Sequence, residues 1–302
     1  MKKVIVIAGA TATGKSSFGI RLAKVLDTEI ISGDSIQVYR DLTIGSAKIS
    51  ASEMQGIPHH CLNTRDLDEH YSVYDFQKEA RAAIDSIHAK GKIPILVGGT
   101  GLYLKAVLYD YDFEHEESTI PTSDEDNATL YAKLIELDPV SAASIHVNNR
   151  KRILRALEIA KSGETKSERE AKQEKKPIYD VTMIVLDVPN AVLEKRIDER
   201  IRTMVEDGLI NEVKRCFGDP ATWTYQSFQG IGYKEWKDYL EEKAGLEETL
   251  LSILIHTRQF AKRQRTWFRH QSTATWVNAL DPIALDQAFD KIIRWAKQED
   301  NV

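Results

Sequence analysis

The chain has 302 residues, of which 42% are hydrophobic and 29% are charged, and its formal net charge is −5 at pH 7. This composition is ordinary for a globular protein with a sizeable core, and the acidic total gives no global signature of nucleic-acid binding. Cys61 and Cys216 lie far apart without a C-x-x-C partner, which excludes a zinc site or a disulfide framework and fits a reducing cytoplasm.

The first predicted elements are a buried strand over residues 4–8 and a helix from residue 18. They are joined by the loop Gly9-Ala10-Thr11-Ala12-Thr13-Gly14-Lys15-Ser16. This loop matches G-x-x-x-x-G-K-[ST], the P-loop pattern, in the strand-to-helix context that the pattern requires. Backbone N–H groups of such a loop converge on phosphate oxygens, Lys15 adds a positive charge, and the Ser16 hydroxyl can take a Mg²⁺ position. We therefore predict that the loop binds a diphosphate or triphosphate, with Mg²⁺ as the cofactor.

Further strands are predicted over residues 29–32, 93–97, 181–187 and 274–277, with helical periodicity over 73–90 and 189–215 between them. Continuous apolar strands that alternate with helices indicate a parallel sheet that is covered on both faces. The predicted fold class is therefore α/β, a P-loop NTPase-like parallel sheet with helices on both faces. Ligands of such sheets bind beyond the carboxyl ends of the strands, so the loops that follow the strands are the candidate sites.

The stretch from about residue 111 to residue 178 interrupts this alternation. It contains an acidic segment over 112–126, helical periodicity over 130–137, 140–145 and 150–161, and a charged run over 166–176. We predict a mostly helical insertion domain over residues 111–178, within a core domain formed by residues 1–110 and 179–302.

Polar residues follow the second and third predicted strands. Asp34 either caps a following helix or holds Mg²⁺ through water, or it acts as a hydrogen-bond acceptor and base for a nucleophile. In the second interpretation Gln37 completes a polar pocket. Thr100 lies in a glycine-rich turn over residues 98–101, which either lets a ligand approach the backbone closely or is only a tight strand-to-helix turn.

Three groups of basic residues follow later in the chain. Residues 150–155 contain a cluster of cations, and residues 257–269 mix cations with aromatic and amide side chains. Arg196 and Arg200 are four residues apart and therefore share one helix face. Each group alone is more often a solvated face, but all of them beside a phosphate-binding loop make nucleic acid a candidate ligand.

Taken together, these motifs resemble those of the tRNA dimethylallyltransferases, also called tRNA isopentenyltransferases, along nearly the whole chain. A P-loop alone is shared by a very large superfamily, whereas this ordered combination is far more specific. The matching segments are residues 9–16, 34–39, 98–103, 152–158, 193–204 with 208–209, 230–235 and 261–269.

The resemblance implies transfer of a dimethylallyl group from dimethylallyl diphosphate to N6 of adenosine 37, immediately 3′ of the anticodon, in tRNAs that read codons beginning with U. It implies that Asp34 orients the exocyclic amine and accepts its proton, with Thr100 as a second polar contact. The target base must leave the stack to reach such a pocket. Arg196 and Arg200 are expected to hold the diphosphate together with the P-loop, so ATP need not be a substrate even if it binds there.

The implied partners are dimethylallyl diphosphate and the tRNA anticodon stem-loop. The resemblance assigns tRNA contacts to Asp34, Ser35, Ile36, Gln37, Thr100, Lys151, Arg152, Ile153, Leu154, Arg155, Gln229, Gly232, Tyr233, Lys262, Arg263, Gln264 and Arg269.

The chain departs from the family pattern in two places. Relatives usually carry a tRNA-contacting arginine shortly after a Pro-x-x-Asp stretch, but no arginine lies near the stretch that ends at Asp124. The chain also ends at Val302 without the Cys/His zinc-finger extension of many eukaryotic relatives, which favours a bacterial-type enzyme.

Two further enzymes and one binding protein are alternatives. A P-loop small-molecule kinase would explain the loop and Asp34 but not the basic, aromatic segment over residues 261–269. An isopentenyltransferase acting on a free adenine nucleotide would have little use for the insertion, and a nucleotide-gated RNA-binding protein would not need Asp34. The apolar run after Met1 is too short for a signal peptide and no run approaches membrane-spanning length, so we expect a cytoplasmic protein, and a monomer by default.

Overall fold

The structure is a computed structural model that describes residues 1–111, 123–161, 163–172 and 176–298. It divides into two compact units, one formed by Met1–Leu108 and Ile178–Val302 and the other by Tyr109–Pro177. Among the described residues, no helix combines the length and the apolar character needed to cross a membrane.

The first unit is built on a parallel sheet in the order β3-β2-β4-β1-β5-β6. The strands are β1 (Lys3–Gly9), β2 (Ile30–Gly33), β3 (His59–His60), β4 (Ile95–Gly98), β5 (Asp180–Asp187) and β6 (Thr275–Asn278). The predicted parallel sheet is confirmed. Strand β3 was not predicted, because its two half-buried histidines carry no strand signal.

Helices separate and follow the strands, and the carboxyl ends of all the strands lie at one edge of the sheet. In chain order they are α1 (Lys15–Leu26), α2 (Ala51–Met54), α3 (Val73–Ala89), α4 (Gly101–Leu108), α5 (Asn127–Leu137), α6 (Pro139–Ser144), α7 (Arg150–Lys161), α8 (Lys166–Lys172), α9 (Asn190–Glu206), α10 (Leu209–Phe217), α11 (Lys237–Leu240), α12 (Leu246–Gln271) and α13 (Pro282–Lys297). Short 3₁₀ turns lie at Pro220–Thr224, Ser227–Gln229 and Lys234–Trp236.

The core of this unit surrounds β1, which pairs with β4 on one side and β5 on the other. Every residue from Val4 to Ala8 has zero solvent exposure, although alternate side chains of a strand point to opposite faces. Both faces of the sheet are therefore covered, which explains the continuous apolar run in the sequence. Phe18 of α1 and Phe289 of α13 meet edge to face in the same core, with ring centroids 5.8 Å apart.

The second unit contains α5, α6, α7 and α8, and no strand lies among its described residues. It has a hydrophobic core of its own, built around Leu130, Leu134, Ala142 and Ile153. Asp138 organises the helix starts, because its carboxylate accepts hydrogen bonds from the backbone N–H groups of Ser141 and Ser167, both at 3.0 Å. Most of the acidic segment and part of the charged run lie outside the described residues.

Candidate active site

The phosphate-binding loop, residues 9–16, connects β1 to α1. Gly14 has φ 92°, a left-handed conformation that favours glycine. The Thr13 hydroxyl donates a hydrogen bond to Ala10 O at 2.9 Å, and Lys15 Nζ donates to the same carbonyl at 2.6 Å. Helix α1 begins directly after Gly14 with no side-chain cap, so the N–H groups of its first turn are available to an anion.

Three cationic side chains gather at this loop. Arg200 Nη1 donates to Thr11 Oγ1 and Arg196 Nη1 donates to Ala12 O, each at 3.3 Å. Burial and the Arg200 guanidinium lower the pKa of Lys15 to about 8, against the opposing effect of a nearby carboxylate. Since like charges so close together disfavour one another, the cluster favours a polyanionic ligand such as a diphosphate.

Asp34 directly follows β2 and is partly buried. Its Oδ1 accepts hydrogen bonds from Ile36 N at 2.8 Å and Gln37 N at 3.3 Å, and these bonds stabilise a turn. The helix-capping interpretation requires a helix that begins at this position, where the structure has a turn instead. Burial raises the pKa of Asp34, against the lowering effects of those N–H groups and of Lys15 and Lys48. Because both bonds use Oδ1, Oδ2 is the oxygen that can accept a hydrogen bond or a proton from a ligand.

The side-chain amide of Gln37 contacts the protein on both sides. Its Nε2 donates to Ser46 O at 3.2 Å and to Ala47 O at 3.3 Å, while its Oε1 lies 3.3 Å from the Ser32 hydroxyl. The orientation of Gln37 beside Asp34 is therefore set by the loop that carries Ser46 and Ala47.

Thr100 lies between β4 and α4 and is partly buried. Neighbouring side chains leave no room for a Cβ at the glycines on either side of it. A Cβ on Gly99 would overlap the Gln264 amide, and a Cβ on Gly101 would overlap the Trp267 ring. Of the two interpretations of this turn, these contacts favour the tight strand-to-helix turn, because Gln264 and Trp267 of α12 occupy the space that the two glycines provide.

The basic segment predicted over residues 257–269 lies on α12. Lys262 and Arg263 are exposed, and the Arg269 guanidinium lies over the Trp276 ring, 5.3 Å from its centroid. Gln264 is 7% exposed, and the oxygen and the nitrogen of its side-chain amide both form hydrogen bonds within the protein. Its side chain is therefore not available to RNA here, whereas the exposed cations are.

A family model described as IPP transferase matches residues 37–271. The chain belongs to the IPP transferase family. It is 46% identical to a tRNA dimethylallyltransferase of an Exiguobacterium strain, over 92% of this chain and 91% of the relative. It is 40% identical to the tRNA dimethylallyltransferase of Enterococcus faecalis over 100% of both chains. The resemblance inferred from the motifs is confirmed.

Solved structures agree with this membership of the IPP transferase family. A eukaryotic dimethylallyltransferase acting on tRNA has a TM-score of 0.85 and 33% identity, over 99% of this chain and 82% of that chain. The tRNA delta(2)-isopentenylpyrophosphate transferase of Staphylococcus epidermidis has a TM-score of 0.72 and 37% identity, over 98% of both chains. The predicted P-loop NTPase-like fold is thereby confirmed.

Predicted tRNA contacts of this IPP transferase also fall between α10 and α11. Gln229 is exposed and donates to Trp223 O at 3.0 Å. Gly232 is buried with φ 96°, and Tyr233 has zero exposure, with its hydroxyl bonded to Glu212. The side chain of Tyr233 therefore contacts only protein in this structure.

The predicted contacts on α7 belong to the second unit. Lys151 and Arg152 are exposed, whereas Ile153 and Leu154 are buried in the core of that unit. Burial lowers the pKa of Arg155. The two apolar side chains thus stabilise the helix that carries the cations.

The Pro-x-x-Asp stretch at the start of the insertion, residues 121–124, lies only partly within the described residues. Residues 121–122 lie outside the described residues. Just after them, the Arg150 guanidinium of the second unit donates to the carbonyls of Ser123 and Glu125 and to Asn127 Oδ1. An arginine side chain therefore contacts this segment, although none occurs within it.

Two buried polar residues have structural roles that the sequence did not predict: Gln264 was predicted only as a tRNA contact, and Glu212 was not predicted at all. Gln264 Oε1 accepts from Thr11 N at 3.1 Å, and Gln264 Nε2 donates to Gly99 O at 3.0 Å, so this side chain connects the phosphate loop to the Thr100 turn. Glu212, which is 2% exposed, accepts hydrogen bonds from a loop near Gln37. Its position on the apolar face of α10, three residues after Leu209, is the one signal that the sequence offers.

Proposed function

We propose that the protein transfers a dimethylallyl group from dimethylallyl diphosphate to N6 of adenosine 37 in tRNAs that read codons beginning with U. The observation that carries this proposal is the proximity of Lys15 and Asp34, each of which shifts the pKa of the other. An anion-binding loop after β1 and a proton acceptor after β2 therefore face one ligand site, with Thr100 after β4, the strand between them. The names of the relatives support tRNA as the acceptor.

The phosphate loop acts on the leaving group. As the bond between C1 of the dimethylallyl group and the diphosphate oxygen breaks, negative charge grows on the diphosphate. The α1 N–H groups, Lys15 and Arg200 hold that charge in a partly buried site, where their attraction is stronger than in water.

Ser16 would hold Mg²⁺. Its exposed hydroxyl lies in the first turn of α1, beside the anion site, and a hydroxyl oxygen is a donor that suits this hard cation. Among the described residues no cluster of three acidic, histidine or cysteine side chains forms a metal cage, and Mg²⁺ commonly takes its other ligands from substrate phosphates and water. When bound, the ion supplies additional positive charge to the diphosphate.

Asp34 acts on the acceptor. The exocyclic nitrogen attacks C1, a C–N bond forms as the C–O bond breaks, and the proton lost from nitrogen moves to Asp34 Oδ2. The raised pKa of the Asp34 carboxylate makes it a stronger base, and Thr100 supplies a second polar contact. The adenine must leave the anticodon stack to reach a pocket at the edge of the sheet.

Exposed cations on both units are proposed to contact the tRNA backbone. Lys262 and Arg263 lie on α12, and Lys151 and Arg152 lie on α7. Contacts of this kind position an anticodon stem-loop without reading its sequence.

The proposal is tested by a transfer assay with labelled dimethylallyl diphosphate, Mg²⁺ and an unmodified tRNA whose anticodon ends in adenosine, with and without ATP. We expect label in the tRNA in both conditions, no label in AMP offered as the acceptor, and labelling of tRNA at least about a hundredfold slower with Asp34→Asn. Label in AMP but not in tRNA would show that the acceptor is a free nucleotide. ATP consumption against a small-molecule panel without labelled tRNA would replace the proposal with the kinase alternative.

A further inference from the structure

Glu212 on α10 binds a loop that is distant in sequence, residues 42–48, which we name the support loop. Glu212 Oε2 accepts hydrogen bonds from Thr43 N at 2.9 Å, Thr43 Oγ1 at 2.6 Å and Ile44 N at 2.8 Å. Glu212 Oε1 accepts from Gly45 N at 2.9 Å and from the Tyr233 hydroxyl at 2.8 Å. One buried carboxylate therefore satisfies three consecutive backbone N–H groups and two hydroxyls.

This carboxylate is held in its ionised form. Burial raises the pKa of Glu212, but the hydrogen bonds from Thr43, Gly45 and Ile44 outweigh that effect and lower it overall. Hydrogen bonds to an ionised acceptor are stronger than those between neutral groups. The support loop is therefore fixed by interactions that no neutral side chain of the same shape can reproduce.

The aromatic partner of Glu212 also packs against the support loop. A Cβ on Gly45 would lie 2.7 Å from the Tyr233 ring, so the backbone of the loop lies directly on this ring. Tyr233 has zero exposure, and its ring also meets Phe217 at 5.7 Å between centroids. Glu212 and Tyr233 therefore form a rigid base under residues 43–45.

The support loop in turn determines the orientation of Gln37. Ser46 O and Ala47 O, which directly follow the segment bound by Glu212, accept the hydrogen bonds of Gln37 Nε2. The backbone N–H of Gln37 donates to Asp34 Oδ1. Hydrogen bonds thus connect Glu212 to the acceptor side of the site.

We propose that Glu212 is a positioning residue for the acceptor adenosine. It holds the support loop so that Gln37 and Asp34 keep the orientation that receives the exocyclic amine, and it touches neither substrate itself. This inference rests on the proposed function. The contacts of Arg196 and Arg200 with the phosphate loop do not pass through the support loop, so these donor-site contacts do not depend on Glu212.

The test is the steady-state kinetics of Glu212→Gln with each substrate varied in turn. Glutamine keeps the shape but replaces one oxygen with an NH₂ group, so either the Gly45 N–H or the Thr43 and Ile44 donors lose their acceptor. We expect kcat/KM for tRNA to fall at least about tenfold and the KM for dimethylallyl diphosphate to stay within about twofold of wild type. Glu206→Gln, at an exposed glutamate at the end of α9, is the matched control and should behave as wild type.

Amide hydrogen exchange provides a readout that does not depend on activity. In Glu212→Gln, exchange at residues 43–45 should be at least about tenfold faster than in wild type, with unchanged exchange in β1. Faster exchange with an unchanged kcat/KM for tRNA would overturn the inference. A KM for dimethylallyl diphosphate that rises as much as the KM for tRNA would also overturn it. If Glu212→Gln fails to fold, Tyr233→Phe removes one donor, and its smaller effect should show the same preference for the tRNA parameters. Absence of transfer in the wild-type protein would instead refute the proposed function itself.

Discussion

The contacts of Gln264 lead to a quantitative expectation for Gln264→Leu. Leucine has a similar volume but removes the bonds to Thr11 N and Gly99 O, leaving one donor and one acceptor without their partner. An unsatisfied buried polar group costs about 1–3 kcal/mol. Thr11 and Gly99 are only partly buried, so water can reach both groups and each costs about 1 kcal/mol, the lower end of that range. We expect the free energy of unfolding to decrease by about 2 kcal/mol.

Urea denaturation and steady-state kinetics measure this expectation together. Because Gln264 joins the phosphate loop to the Thr100 turn, the KM should rise for both substrates, unlike the acceptor-selective effect expected of Glu212→Gln. Gln259→Leu, at an exposed glutamine on the same helix, is the control and should keep wild-type values. An unfolding free energy for Gln264→Leu within about 0.5 kcal/mol of that control would refute the reasoning, because exposed substitutions reach that size without any lost contact.

Three further outcomes are expected. Asp34→Asn should lower the transfer rate by about 10²–10⁴-fold and leave tRNA affinity in a filter-binding assay within a few-fold, because it removes a base and keeps the shape. Gly101→Ala should destabilise the fold by about 1–3 kcal/mol in thermal or urea unfolding, since its methyl group overlaps Trp267, and adding Trp267→Leu should restore part of the loss. The pKa of Lys15 is lowered to about 8, so Lys15 loses its positive charge as the pH rises through that value. The affinity for inorganic diphosphate, measured by calorimetry, should therefore fall above pH 8. A constant affinity from pH 7 to pH 9 would contradict this expectation.

Local sequence patterns were sufficient to predict the strands and the loops that carry the candidate site. The apolar run before Gly9 predicted β1, and the loop motif predicted a helix after it, although α1 begins at Lys15 rather than at residue 18. Asp34 and Thr100 were identified because parallel strands end at one edge of a sheet, so polar residues after different strands converge there. Strand β3 was missed because His59 and His60 become a strand only by pairing with β2.

The supporting residues could not be predicted in this way, because their partners are chosen by the tertiary fold. Glu212 lies 169 positions from Thr43, and Gln264 lies 253 positions from Thr11, so no local periodicity connects them. Each nevertheless occupies a buried face of its helix, where an unpaired polar side chain would be costly. A polar residue on a buried helix face must therefore find distant partners, and in this protein those partners are backbone groups of loops around the candidate site. Sequence motifs identified groups proposed to touch the substrates, and the buried polar residues identify what keeps those groups in place.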